Sequence, residues 1–451
     1  MTRSVRGLLH NATAASCVAL LSLGVLVAAC TGASRDERPN LILFITDDES
    51  VGSTEVMPHL RSWFVESGRS FEPGFVTTPL CCPSRASILS GRYMHNHGVR
   101  LNREAENLDL DETLQRHLSA GGYRTGIVGK FLNAWPSDRD PPDFDYFVVS
   151  KGFPFEGGTW NVNGDTQDVA TYSTTFIRDH VAEFLETTDA GTPWLLIVST
   201  IAPHAPAIPE PKYADAPVPP PTTNPALEVT DRSAKLPLGS KRSFQTRPRF
   251  RADQLRTMMS VDDVIGDVDR ALEERDEKSD TLAFYISDNG LLRGEHGLTG
   301  KGHPLRPAVE VPFYMAWPGR IEPSTDDRLA ANIDIAPTMM DAAGLLDEID
   351  HPLDGRSLLE DWRRAEILLE YQRNPKFVSP SWASIRTDVA QYIEYYDQAG
   401  ETRFRELYDL ADDEWQLTNL LGGGRKTHHG AAAAFGERLE RYRRCSGSGC
   451  P

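Results

Sequence analysis

Four short apolar runs, Asn40 to Ile45, Tyr123 to Val128, Pro193 to Ser199 and Thr281 to Ile286, stand apart along the chain, and each stops at polar or glycine-containing residues. Continuous apolar runs of this length fit strands buried on both faces of a sheet. Between them the period changes. Leu110, Leu114 and Leu118 recur at helical spacing before Gly121-Gly122, and Ser173 to Leu185 turns Phe176, Val181 and Phe184 to one side. Leu255 to Leu272 does the same with Met258, Val261, Val264, Ile265 and Val268. This alternation predicts an α/β fold, a large sheet flanked by helices. Val311 to Trp317 adds a strand, and Asn332 to Ala343 a helix stopped by Gly344. Residues 134–165, rich in Pro, Asp, Gly and aromatics, read as irregular loop, as do the proline-rich residues 206–250. From Leu345 the pattern shifts to shorter alternating strands, Trp382 to Thr387, Gln391 to Tyr396 and Leu407 to Leu410, with a final helix around 431–443. That end predicts a smaller antiparallel unit.

The N-terminus adds a different signal. Arg3 and Arg6, the apolar run Val18 to Ala29 and the ending Val27-Ala28-Ala29-Cys30 look like a bacterial lipoprotein export signal, with lipid attached at Cys30. Residues 1–30 are then a signal peptide and 31–38 a tether; an ordinary signal peptide cleaved nearby is the alternative. Export to the cell envelope, anchored on the membrane's outer face or secreted, follows. A formal charge of −18 excludes a general nucleic-acid or anionic-membrane binder, so membrane contact is expected through the lipid alone. Cysteine use agrees with export: Cys17 and Cys30 lie in the leader, and Cys445 and Cys450 are expected to form a disulfide that pins the tail. Cys81 and Cys82 remain.

Those two open the run Leu80 to Tyr93, LCCPSRASILSGRY, where Pro83 suits a first helical position and Gly91 a stop. Cys81 is placed just ahead of the helix start, where unpaired backbone N–H groups favour an anion. Other reactive side chains follow the predicted strands: Asp47-Asp48-Glu49, Lys130, His204 in a proline-framed loop, and Asp288-Asn289. Strand C-terminal ends are where open α/β sheets place their sites. Lys241, Arg242, Arg247, Arg249 and Arg251 form a basic stretch, either a solvated loop or a rim that draws an anionic substrate.

The wording of these segments resembles the type I, formylglycine-dependent sulfatases of the alkaline phosphatase superfamily. The resemblance is carried by C-C-P-S-R, G-R-Y-x-H-N-H-G, G-K-x-L-N, P-H-x-P and S-D-N-G from Asn40 to about Leu420. It is closest to the branch that includes N-acetylglucosamine-6-sulfatases and extracellular heparan endosulfatases. It implies an alkaline-phosphatase-like mixed sheet, a catalytic domain over 39–344 and a C-terminal subdomain over 345–451. It further implies that Cys81 is oxidised to Cα-formylglycine by a formylglycine-generating enzyme. One hydroxyl of its hydrate attacks sulfur, and loss of the second hydroxyl's proton expels sulfate. Asp47, Asp48, Asp288 and Asn289, with the Cys81 position, would hold Ca2+, or Mg2+, since oxygen ligands favour these ions. Arg85 would orient the nucleophile, Lys130 and Lys301 would meet the sulfate, and His204 would protonate the leaving oxygen. The expected substrate is a sulfated small molecule or glycan.

Two departures from the family's wording stand out. Many sulfatases carry a histidine shortly after the lysine matched by Lys130, whereas this chain has Leu132-Asn133, which leaves His95 or His97 as alternative bases for the elimination step. Arg306-Pro307-Ala308-Val309-Glu310 alters the charges ahead of Val311-Pro312. The competing readings are a phosphonate or phosphate monoester hydrolase of the same superfamily, and a lipid-anchored binding protein whose Cys81 stays a thiol.

Overall fold

Ten strands form the main sheet of the computed structural model, which describes residues 38–136, 138–229, 233–236, 238, 244–422 and 427–451. The leader with Cys30, nearly all of the tether, and Lys241 and Arg242 lie outside the described residues. In spatial order the strands are Ser324–Asp326, Arg69–Phe71, Phe313–Ala316, Thr281–Ser287, Asn40–Thr46, Trp194–Ser199, Arg124–Gly129, Tyr146–Ser150, Glu156–Val162 and Asp165–Tyr172. The five from Thr281–Ser287 to Tyr146–Ser150 run parallel. Asn40–Thr46 at their centre is buried along its whole length, because helices cover both faces of the sheet. Helices Ser173–Glu186 and Pro248–Glu274 cover one face through Ile177, Val181, Phe184, Met258, Val261 and Ile265. The motif helix Cys81–Ser90 and helix Ile335–Ala342 cover the other through Ala86, Ile88, Leu89, Ile335 and Met339.

Several expected elements shift. Leu110 sits in a separate 3-10 turn, Leu110–Glu112, and the helix begins only at Leu114, after Thr113 adopts extended backbone. Phe176 is only partly buried, against Trp160, and Ile177 takes the inward place. Pro312 splits the expected strand 311–317: Glu310–Val311 pairs with Gly74–Phe75 in a small sheet, and Phe313–Ala316 joins the large one. The largest correction falls at 134–165. That segment contributes the outer strands Tyr146–Ser150 and Glu156–Val162, the latter paired with Asp165–Tyr172. Six of the eight residues of Asp165–Tyr172, including Asp165, Gln167 and Asp168, are exposed, so the edge carries no apolar alternation to read.

The C-terminal sheet is a four-stranded antiparallel meander, Ile367–Tyr371, Ser381–Arg386, Ala390–Tyr396 and Thr402–Asp409, packed on helix His429–Tyr442. Its first strand was not expected from the sequence. Cys445 and Cys450 are joined as a disulfide, and the tail is held by Asp354, which accepts hydrogen bonds from the Gly447 and Tyr93 backbone N–H groups. No helix among the described residues is long and apolar enough to cross a membrane.

Candidate active site

Four adjacent parallel strands deliver polar side chains at matching heights. Thr46 is paired with Ser287, so the next residues, Asp47 and Asp288, emerge side by side, with Asp48 and Asn289 following. Gly129 is paired with Ser199, which places Lys130 two strands away. Gly129 has φ 117°, and a Cβ on it would lie 1.8 Å from the Ser199 carbonyl oxygen, so only glycine permits this close approach ahead of Lys130. His204 follows Trp194–Ser199 in a loop with cis prolines at Pro203 and Pro206.

Cys81 sits one step further in than its expected place: it is the first residue of the helix, with Leu80 as the cap and Pro83 at the third helical position. Gly91 ends the helix in a left-handed conformation, as its φ of 67° requires. The helix start is fixed from outside. Asn102 accepts the Cys82 backbone N–H, and Asn332, expected to be scaffold, donates to Ser84 Oγ at 2.9 Å. Cys82 turns away, its thiol donating to the Asn133 carbonyl and pushed up to about 12, first by burial.

Around Cys81 the predicted residues converge. Its Sγ lies 3.3 Å from Asp47 Oδ1 and 2.7 Å from Lys301 Nζ. Lys301 also reaches Asp48, and Lys130 Nζ lies 2.5 Å from Asp47 and 3.4 Å from Asp288. Arg85 donates through Nε to Asp288 at 2.8 Å and through Nη1 to the Lys130 carbonyl and Ser199 Oγ. Asn289 Nδ2 donates to Asp48 Oδ1, and His204 Nε2 stands 3.6 Å from Asp48 Oδ2. Burial alone would raise the Asp47 carboxyl; Lys130, His204, Lys301 and Arg85 hold it well below the usual range. Burial, then Asp288 and Asp47, push the Cys81 thiol well above its ordinary value, so as a plain cysteine it is protonated at neutral pH.

The donor set fits a hard divalent cation at three of its four positions. One ligand atom from each of Asp47, Asp48, Asp288 and Cys81 lies within 4.8 Å of the others, and all four residues are buried. The three carboxylates suit calcium or magnesium; sulfur is the misfit. An aldehyde hydrate at Cys81 would make the set all-oxygen, with the Asn289 amide turned to present its oxygen.

His95 and His97 stand away from this cluster. His95 bridges Glu370 Oε1 and the Cys445 carbonyl, and His97 Nε2 is 3.0 Å from Ser87 Oγ, while its Nδ1 accepts the Val99 N–H. Burial, then Arg92, push His97 down to about 3. The unfolded chain protonates near the ordinary 6.5, so between these values it binds a proton that the native state does not. Stability is therefore expected to fall as pH drops through that window, by up to about 1.4 kcal/mol per pH unit. His97→Asn is expected to flatten that slope in denaturant unfolding at several pH values; parallel slopes would contradict it.

The charges altered near Val311 point away from the site too: Arg306 pairs with Glu310 and Glu414, and Arg386 with Glu310. Of the basic stretch, Arg249 is exposed and paired with Asp253, whereas Arg251 is turned inward to Ser53 Oγ and the Gly52 carbonyl, so it is not part of a rim. One neighbour escaped the sequence reading. Phe153, on the loop after Tyr146–Ser150, stacks on His204 at 4.7 Å between centroids and lies 5.0 Å from Lys130 Nζ.

A mixed sheet with acidic and basic side chains gathered at its strand ends, beside a smaller antiparallel sheet, is an alkaline-phosphatase-like fold. The chain belongs to the sulfatase family, whose model matches residues 39–345; a second model, N-sulphoglucosamine sulphohydrolase, C-terminal, matches 294–444. It is thus a sulfuric ester hydrolase, and the family generally uses formylglycine and Ca2+. Human N-acetylglucosamine-6-sulfatase is 29% identical, over 98% of this chain and 91% of that protein. An extracellular sulfatase homologue of Caenorhabditis elegans is 32% identical over 72% of this chain, which spans about half (49%) of that protein. A solved structure in complex with its substrate D-glucosamine-2-N,6-O-disulfate superposes with a TM-score of 0.76 at 23% identity, covering 89% of this chain and 97% of that one.

Proposed function

We propose that the chain is an exported, lipid-anchored sulfatase that acts on sulfated sugars, with Cys81 matured to formylglycine by a generating enzyme and a divalent cation, Ca2+ or alternatively Mg2+, held by Asp47, Asp48, Asp288 and Asn289. The observation that carries this reading is the burial of three carboxylates and three cations around Cys81 at a helix start. The sugar class is supported by the name of the human relative, and export by the apolar leader and the extracellular nematode relative.

When bound, the cation would supply Lewis acidity at the sulfate oxygens, and formylglycine a hydrate able both to attack sulfur and to release sulfate. The chain's own residues do the rest. Lys130 and Lys301 hold the remaining sulfate oxygens, both ammonium groups being fixed by the Asp47–Asp48 pair. Arg85 braces Asp288 and the Lys130 carbonyl, so it keeps two strand ends in register behind the helix. His204 is aimed by its surroundings: Nδ1 donates to the Ala205 carbonyl at 2.6 Å, which leaves Nε2 facing the cluster. Acting as general acid, the imidazolium, with a hydrogen on each ring nitrogen, gives its Nε2 proton to the leaving oxygen and keeps the Nδ1 hydrogen on the Ala205 carbonyl.

His204→Ala is therefore expected to depend on the leaving group. Turnover of a sugar sulfate, whose alkoxide needs the proton, falls by about 100-fold or more, while an aryl sulfate loses less than about ten-fold. Equal losses would contradict the assignment. In the wild type, an aryl sulfate should outpace the matching phosphate and phosphonate; a dominant phosphoester rate would overturn the sulfatase reading.

A further inference from the structure

Beside the cluster lies a cavity of about 250 Å³ between the segments 130–136 and 149–153. Its wall is formed by Lys130, Leu132, Asn133, Trp135, Val149 and Phe153. This wall is mostly apolar, and its buried cation is already engaged, since Lys130 Nζ is turned to Asp47 and Asp288. Trp135 is fixed by its indole N–H, which donates to the Arg139 carbonyl at 2.8 Å. Phe153 is 40% exposed yet held in place by its stack on His204. Ser150 and the exposed Lys151 stand at its edge, and the buried polar side chain in the wall besides Lys130 is Asn133. It is 7% exposed, and its amide oxygen has no hydrogen-bond partner. Buried polar atoms in folded proteins are nearly always paired, so the missing donor points to an occupant.

The volume is below the roughly 300–1,000 Å³ of pockets for drug-sized ligands, and it matches a single ring. We propose that this cavity receives the leaving group as one uncharged pyranose ring, with an apolar ring face against Phe153 and Trp135 and a hydroxyl or amide N–H donating to Asn133 Oδ1. The inference rests on the sulfatase reading of the adjoining site. Asn133 is then a specificity residue: it recognises the sugar and takes no part in the chemistry at sulfur.

The test compares kcat/KM for 4-nitrophenyl sulfate, a 6-O-sulfated N-acetylhexosamine and a 6-O-sulfated hexose, in the wild type and in Asn133→Leu. The variant is expected to lose at least about ten-fold more on sugar sulfates than on the aryl sulfate, mainly through KM, because the site's hydrogen bond to the sugar is gone. A loss confined to the N-acetylated sugar identifies the amide N–H as the donor; a loss shared with the hexose identifies a hydroxyl. Trp135→Ala, at a partly exposed position, carries the same test should Asn133→Leu fail to fold. An active wild type whose substrate ratio does not change in either variant overturns the subsite alone. A wild type inactive on all three substrates overturns the sulfatase reading and the subsite with it.

Discussion

Cys81→Ala is expected to lower kcat/KM on an aryl sulfate by at least about 1,000-fold, the scale on which loss of a covalent nucleophile is felt. The fold should survive the change. Cys81 is small and 1% exposed, and removing one sulfur from a packed site costs about 1 kcal/mol, a shift of about 1 °C in Tm for a chain of this size. Activity and stability therefore separate cleanly. The unmodified thiol offers no substitute, since burial, Asp288 and Asp47 keep it protonated at neutral pH. A variant that retains more than a few per cent of wild-type turnover would show that Cys81 is not the nucleophile's parent.

Removal of divalent cations with a chelator is expected to cost at least about 100-fold in activity, with recovery on adding Ca2+. Asp47, Asp48 and Asp288 are formally balanced by Arg85, Lys130 and Lys301, all within one buried cluster. A balanced cluster has no net attraction for an anionic ester; a divalent cation gives it two positive charges. Because the cation binds the folded state, its removal should also lower Tm, and Ca2+ titration should raise Tm with concentration. Activity and Tm that both ignore the chelator would contradict the metal assignment.

The parts of this site legible in the sequence are those carried by local grammar. Asp47-Asp48, Lys130 and Asp288-Asn289 each follow an apolar run, and a buried parallel strand both produces that run and delivers its next residue to one end of the sheet. What escaped depends on longer-range geometry. Phe153 reaches His204 only because Tyr146–Ser150 and Glu156–Val162 form a hairpin, and the polar outer face of that edge hides it. His95 and His97 lie close to the motif in sequence, but the turn after Gly91 sends them to Glu370 and Ser87. Arg251 lies in a basic run, yet its place on a long helix turns it to Ser53. Asn332 carries no catalytic wording of its own, and its bond to Ser84 could be seen only once strand pairing had brought 330–332 beside 74–77.

The proposed mechanism depends on the chemical state of one side chain, that of Cys81. The most direct measurement is the intact mass of the peptide containing Leu80 to Tyr93, isolated from protein made in its native host. The expected result is a peptide whose Cys81 side chain has changed from CH2–SH to CHO, present as aldehyde or hydrate and reactive towards a hydrazine, with Cys82 unaltered. A peptide that carries two unmodified thiols in fully active enzyme would contradict the formylglycine mechanism.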